Sequence, residues 1–337
     1  MSTATLRAPD DVLARSLSNR ILELTLMPTE ACNFRCTYCY EDFALGRMSP
    51  SVVLGLKRLI SARSPSLDEL HLAWFGGEPL LALDVIRDVH AHAAALQRDH
   101  PELLVTANMT TNAWRLTPPV FAELVGLGVS QYQISFDGPP DQHDAKRRRL
   151  DGKPTFQRIW ANVAAMRTTD LDFRVLLRLH VDRDNVDTMH VLVDRLRAEF
   201  GSDPRFEIFL KPLARYGGSN DARLPVLESE EDARRYARLE QHVRAGAAAN
   251  PAHAAAKPAS PKVCYASKGN SYVVRADGRL CKCTVVLDHP ENEVGRLHED
   301  GTVAIDPDRA RPWMRGLWSG NTTELMCPML GFASPKT

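Results

Sequence analysis

Between residues 21 and 210 the chain repeats one phrase: a short apolar run of strand length, then a segment with helical apolar spacing. The runs fall at 21–27, 69–75, 103–111, 131–136, 173–181 and 206–210. Ser49-Pro50 opens the first helical segment as a capping hydroxyl before proline, with Val52, Val53, Leu56 and Ile60 on its buried face. Leu81, Val85, Ile86 and Val89 mark the second. Thr117-Pro118 starts the third, over Phe121, Leu124 and Leu127, with Gly126 and Gly128 placed to end it. Thr155 precedes Phe156, Ile159, Trp160 and Val163, segment 185–200 carries Met189, Leu192, Val193 and Leu196, and Ser229-Glu230-Glu231-Asp232 opens a charged helix to about Val243. Parallel strands need a crossover and a helix supplies it, so the pattern predicts an α/β fold with a parallel sheet. Such sheets place ligand sites at the strands' C-terminal ends.

A length of 337 residues suits one barrel-sized domain plus a small appendage. The expected organisation is a polar extension over 1–20, an α/β domain over 21–245, an Ala/Pro-rich linker over 246–262 and an appendage over 263–337. In the last, 271–275 and 280–286 flank Asp277-Gly278, and 294–297 and 302–305 flank Asp300-Gly301, both hairpin signals. Lysines plus arginines equal aspartates plus glutamates at 42 each, which argues against nucleic acid or an anionic membrane as partner. Without a signal peptide or a spanning-length apolar run, the expectation is a soluble, cytoplasmic protein.

Seven cysteines, clustered towards the two ends, do not form a secreted disulfide framework and read instead as metal sites. Cys32, Cys36 and Cys39 follow the first strand, spaced by three residues and then two, with Tyr38 before the last. Three thiolates on a four-iron cluster leave one iron open to a small molecule; a zinc site would need a fourth ligand, and no histidine is near. Gly76-Gly77-Glu78-Pro79 ends the second strand, where glycines permit close backbone approach and Glu78 offers an acceptor to an ammonium. Alone it reads as a turn. Thr111-Asn112, Ser135, Asp137 and Arg178 lie at or near later strand ends; each could equally satisfy a local turn, as Asp137 in Asp-Gly-Pro could.

Together the cysteine loop and the Gly-Gly-Glu-Pro segment resemble the signature of radical S-adenosylmethionine (SAM) enzymes. The resemblance implies a partial (β/α)6 TIM-type barrel, a [4Fe-4S] cluster on Cys32, Cys36 and Cys39, and SAM chelated at the open iron. By the same resemblance Tyr38 lies against the adenine, Gly76, Gly77, Glu78 and Pro79 hold the methionine amine, and Asn112, Ser135, Asp137 and Arg178 face cosubstrate or substrate. Reductive cleavage of SAM would give a 5'-deoxyadenosyl radical that abstracts a substrate hydrogen, with a flavodoxin or ferredoxin as reductant.

Cys264, Gly278, Cys283 and Cys327 resemble the SPASM and twitch group, in which a small C-terminal β-hairpin domain ligates an auxiliary iron–sulfur cluster. Alternation along the expected strand 280–286 puts Cys281 and Cys283 on one face, so that both or neither approach it. Four ligands would close that cluster and three would leave an iron open. Relatives of this kind largely modify ribosomally made peptides, so the leading expectation is a maturase forming an oxidative thioether or carbon–carbon crosslink in a precursor peptide. No separate leader-recognition domain is evident before the barrel, and Lys146-Arg147-Arg148-Arg149 reads as a solvated loop or as a contact for an acidic leader. An oxidoreductase acting on a small molecule is the alternative; two named branches fit less well, the molybdenum-cofactor cyclases because this chain ends Ala-Ser-Pro-Lys-Thr where they end Gly-Gly, and the sulfatase-maturing enzymes because they carry more auxiliary cysteines than this chain. A non-catalytic iron–sulfur or zinc scaffold is the rival from another class. Trp313 and Trp318 are expected to pack the tail.

Overall fold

The computed structural model describes residues 10–248 and 263–332. In chain order it comprises α1 (Asp10–Leu17), β1 (Ile21–Leu26), β2 (Phe34–Cys36), α2 (Pro50–Arg63), β3 (Glu69–Trp74), α3 (Leu83–Asp99), β4 (Leu104–Thr111), α4 (Pro118–Gly126) and β5 (Val129–Phe136). There follow α5 (Pro140–Lys146), β6 (Arg147–Arg149), α6 (Phe156–Arg167), β7 (Arg174–Val181), α7 (Met189–Phe200), β8 (Phe206–Pro212) and α8 (Glu230–Ala248). After the undescribed 249–262, where most of the expected linker lies, come β9 (Ser271–Val274), β10 (Arg279–Cys281), β11 (Glu293–Leu297), β12 (Val303–Ile305), α9 (Pro307–Ala310), α10 (Arg315–Ser319) and α11 (Thr322–Met326). The fold is α/β with mostly parallel pairing, as the alternation predicts.

The described residues divide into two compact units. The first takes in 10–31, 43–107 and 263–332, and the second 32–42 and 108–248. In the first, β1 pairs in parallel with β3, Ile21 opposite Glu69 through Leu26 opposite Trp74. Its other edge takes β9, also in parallel, Glu23 opposite Ser271, and β10, β11 and β12 continue antiparallel. Segment 263–332 is thus built onto β1. Ser49 caps α2 as expected, accepting from Val52 N. In the second unit β5, β7 and β8 run parallel, and β2 and β6 form a separate antiparallel ribbon.

Three expectations are corrected. The basic run is not a solvated loop: Arg147, Arg148 and Arg149 form β6, opposite Cys36, Arg35 and Phe34 of the cysteine loop. The strand expected over 280–286 ends at Cys281, where the pairing register shifts between Leu280 and Cys281. Trp318 is 61% exposed, whereas Trp313 is fully buried, donates from Nε1 to Glu291 O (2.8 Å) and meets Phe332 at 4.9 Å. Among the described residues, no helix is long and apolar enough to cross a membrane.

Candidate active site: a cysteine loop on a buried polar network

The cysteine loop belongs to the second unit, and its ladder is short: three residue pairs between β2 and β6. Side chains do the rest of the holding. Phe34 is buried and meets Trp114 edge-on at 6.1 Å, and the Arg149 and Arg158 guanidiniums each stand 4.7 Å from the Trp114 ring centre. Asn112, at the end of β4, donates to Asn33 Oδ1 (2.8 Å), while its own Oδ1 accepts from Trp114 N (2.9 Å). On the far side of the loop Tyr40 meets Tyr216 at 5.7 Å, and a Cβ on Gly218 would stand 2.6 Å from Tyr40 Cα, so only glycine fits there.

Under the loop lies a polar cluster that sequence reasoning saw only in part. Asp137 is fully buried, and every polar group of it is engaged. Its Oδ2 accepts from Tyr38 OH (2.6 Å), its Oδ1 is paired with His180 Nδ1 (3.0 Å), its N–H donates to His143 Nδ1 (3.3 Å) and its carbonyl accepts from Asn185 Nδ2 (3.0 Å). Tyr38 OH also accepts from Arg147 Nη1 (2.6 Å), and its ring lies 4.7 Å from His180. Burial opposes ionisation of Asp137, but His180 and Arg147 outweigh it and hold the carboxyl below the usual carboxylate range. Burial pushes His143 and His180 down to about 4, so both are neutral at pH 7. Burial holds Tyr38 far above its ordinary value, so the phenol keeps its proton. Asp137 thus ties Tyr38, His180, His143 and Asn185 into one buried network. Lys146 completes the cluster by pairing with the buried Asp182. Arg178 donates from Nε to Ser135 Oγ (3.2 Å), its cross-strand partner in β5. Arg147, His143 and His180 gave no signal in sequence, because a basic triplet and isolated histidines carry no spacing that marks a site.

The three thiols suit an iron–sulfur group. Phe34 N–H donates to Cys32 Sγ (3.3 Å), the kind of backbone-to-sulfur bond that tunes such clusters, and Asn112 Nδ2 approaches the same sulfur at 4.0 Å. Burial raises Cys36 and takes Cys39 up to about 12, so binding of a metal group would release their protons. Among the described residues no three Cys, His, Asp or Glu converge on a point that would hold a single ion. A four-iron cluster makes no such demand, since each thiolate takes its own iron.

The Gly76–Pro79 segment lies in the first unit, and here the glycines are obligatory. Gly76 has φ +81°, and a Cβ would stand 2.6 Å from Met27 Cε; Gly77 has φ +46°, with its Cβ position 2.2 Å from Ala31 O. Glu78 is fully buried, donates its N–H to Ala31 O (3.0 Å) and accepts at Oε1 from Leu80 N (3.1 Å), capping the turn that begins with Pro79.

The C-terminal thiols separate into a triad and an outsider. Burial raises Cys264, and the neighbouring thiols Cys283 and Cys327 raise it further; Cys283 is likewise raised by burial and by Cys327. Val285 N–H donates to Cys283 Sγ (3.4 Å), and Tyr265 OH stands 4.0 Å from it. Cys264 and Cys283 pack on Ala266, Val294 and Trp313. Cys281 is 1% exposed and packs instead on Met27, Val273 and Leu287. Burial lifts it to about 12, and the charges acting on it most are those of Arg275, Arg279, Glu293 and Asp277, not of a thiol. The shared face expected of Cys281 and Cys283 fails because β10 ends between them. Lys282, also unforeseen, is buried with Nζ donating to Lys268 O (2.5 Å) and Ser271 O (2.7 Å).

A parallel α/β scaffold carrying this loop defines a class, and the family model for the radical SAM superfamily matches residues 26–196, just over half of the chain. The chain belongs to the radical SAM superfamily, whose members use a [4Fe-4S] cluster and SAM. Among curated relatives, a GTP 3',8-cyclase of Paenarthrobacter nicotinovorans is 31% identical over 43% of this chain and 39% of its own length. A GTP 3',8-cyclase of Pseudomonas entomophila (strain L48) is 30% identical over 54% and 53%. The chain thus spans about half or less of the length of these relatives. Solved structures resemble it over more of its length. Native anSMEcpe with bound AdoMet and Cp18Cys peptide covers 94% of this chain and 84% of its own, at TM-score 0.60 and 16% identity. Streptococcus suis SuiB bound to precursor peptide SuiA covers 92% and 69%, at 0.59 and 13%. At such identities the likeness is one of fold.

Proposed function

We propose that this radical SAM enzyme acts on a ribosomally synthesised precursor peptide and forms an oxidative thioether or carbon–carbon crosslink. The observation that carries the reading is the second thiol set, Cys264, Cys283 and Cys327, gathered in one neighbourhood with Cys281 turned away. We assign these three to an auxiliary iron–sulfur cluster, which suits a reaction that must dispose of a second electron. The peptide-bound structures of similar fold support a peptide as partner. A first cluster held by Cys32, Cys36 and Cys39 would, with SAM, supply a 5'-deoxyadenosyl radical. Gly76, Gly77, Glu78 and Pro79 would hold the methionine end, Asn112 fixes the loop through Asn33, and Ser135 and Arg178 present polar groups from β5 and β7 to cosubstrate or substrate. Asp137 acts through Tyr38, as a positioning residue. The reductant is a flavodoxin or ferredoxin.

A second reading has its own support: the curated relatives are GTP 3',8-cyclases, which favours a nucleotide-sized substrate. One experiment separates the two. Reconstituted enzyme with SAM and reductant is given either the candidate precursor peptide or GTP. A peptide product lighter by two hydrogens establishes the maturase; turnover of GTP with an unchanged peptide overturns it.

A further inference from the structure

Arg147 is a buried cation with a donor left over. It is 6% exposed, stands opposite Cys36 in the β2–β6 register, and gives Nη1 to Tyr38 OH at 2.6 Å. Its Nε is buried and has no hydrogen-bond partner. Leaving such a donor unpaired is costly, so its presence asks for an acceptor that arrives later. Burying a guanidinium is costly as well, and here its neighbours are Tyr38, Asp137 and the Cys36 sulfur, with Phe34's ring 5.8 Å away. The adjacent basic residues are spent elsewhere: Lys146 on Asp182, and Arg149 on Asp151 (2.8 Å) and Trp114.

We propose that Arg147 is a positioning and potential-setting residue for the cluster on this loop, its charge lying beside the Cys36-bound corner and its Nε–H supplying a hydrogen bond to sulfur there. The inference rests on the family's cluster being held by Cys32, Cys36 and Cys39, and is indifferent to which substrate is oxidised. A fixed cation favours the reduced, more negative cluster, and hydrogen bonds to sulfur act in the same direction. Removing it makes the cluster harder to reduce.

The test is the midpoint potential of the reconstituted protein, read by electron paramagnetic resonance, in Arg147→Gln and Arg147→Lys, with Arg148→Gln as the exposed control on the same strand. At a fixed potential Arg147→Gln is expected to lower the reduced-to-oxidised ratio about tenfold, which is 59 mV for a one-electron couple. Arg147→Lys restores most of this, and Arg148→Gln matches wild type. Equal potentials in wild type and Arg147→Gln overturn the proposal; so do equal shifts in the Gln and Lys variants, which would mark a packing effect. If Arg147→Gln fails to hold iron, loading becomes the readout: a loaded Lys variant supports the charge requirement and an unloaded one overturns it. Failure of the family reading looks different, because a Cys32, Cys36, Cys39 triple alanine variant would then keep all its iron whatever stands at 147.

Discussion

Replacing Arg275 by methionine would strand a charge in the interior of the first unit. Glu30 and Arg275 are 1% and 2% exposed and meet as a two-pronged pair, Nε to Oε1 at 3.0 Å and Nη2 to Oε2 at 2.5 Å. Arg275 also donates from Nη1 to Leu287 O (3.3 Å). The pair joins the β9–β10 turn to the segment two residues ahead of Cys32. Methionine fills much of the same volume, so lost packing is small and the cost is the uncompensated carboxylate, about 3–5 kcal/mol for breaking a buried pair from one side. Urea unfolding, which does not screen charge, should show that loss in Arg275→Met. In the double variant Glu30→Gln, Arg275→Met the charge is gone, and the loss should fall short of the sum of the single losses by at least about 1.5 kcal/mol. A loss under about 1 kcal/mol in Arg275→Met, or strict additivity, would refute the reasoning.

Three further outcomes are expected. Gly77→Ala places a Cβ against Ala31 O in a left-handed backbone, so it should destabilise by about 1–3 kcal/mol and weaken SAM binding in calorimetry; unchanged affinity would separate this turn from the cosubstrate. Tyr38→Phe removes the hydroxyl shared by Asp137 and Arg147, and should cost about 1–3 kcal/mol in unfolding experiments while leaving the cysteines able to bind iron. His143 and His180, pushed by burial to about 4, take up protons in the unfolded chain below its ordinary value of about 6.5 but not in the folded one. Their stabilisation is complete above pH 6.5 and declines as pH falls towards 4, by ~3 kcal/mol for each; urea midpoints at intervals between pH 7.5 and 4.5, compared with His143→Gln, should show this slope and its reduction in the variant.

Local chemistry made much of this legible. Ser49-Pro50 and Asp277-Gly278 act within a few residues, and the structure keeps both, as a cap on α2 and a turn with Gly278 at φ +86°. Strands β1, β3, β5 and β7 could be read because their apolar residues are buried in parallel pairs. What stayed hidden depends on distant partners. β6 is three arginines without apolar alternation, and it becomes a strand only because Phe34–Cys36 offers it a ladder and Tyr38 takes the Arg147 guanidinium. The side on which Cys283 lies could not follow from alternation, because the strand ends at Cys281. Helix α1 was missed in a polar stretch; it is tied down from 269–270, where Gly269 N–H donates to Ser16 O and Asn270 Nδ2 to Arg15 O.

Iron and acid-labile sulfide, counted on anaerobically reconstituted protein, test the central claim of one radical-generating loop and one auxiliary triad most directly. Cys32, Cys36 and Cys39 changed together to Ala should lose roughly half the iron of wild type, as expected for one of two four-iron clusters. Adding Cys283→Ala to that variant should remove the rest, whereas adding Cys281→Ala should remove none. Complete loss of iron in the first triple variant, or loss of the remaining iron on replacing Cys281 and not Cys283, would contradict the account.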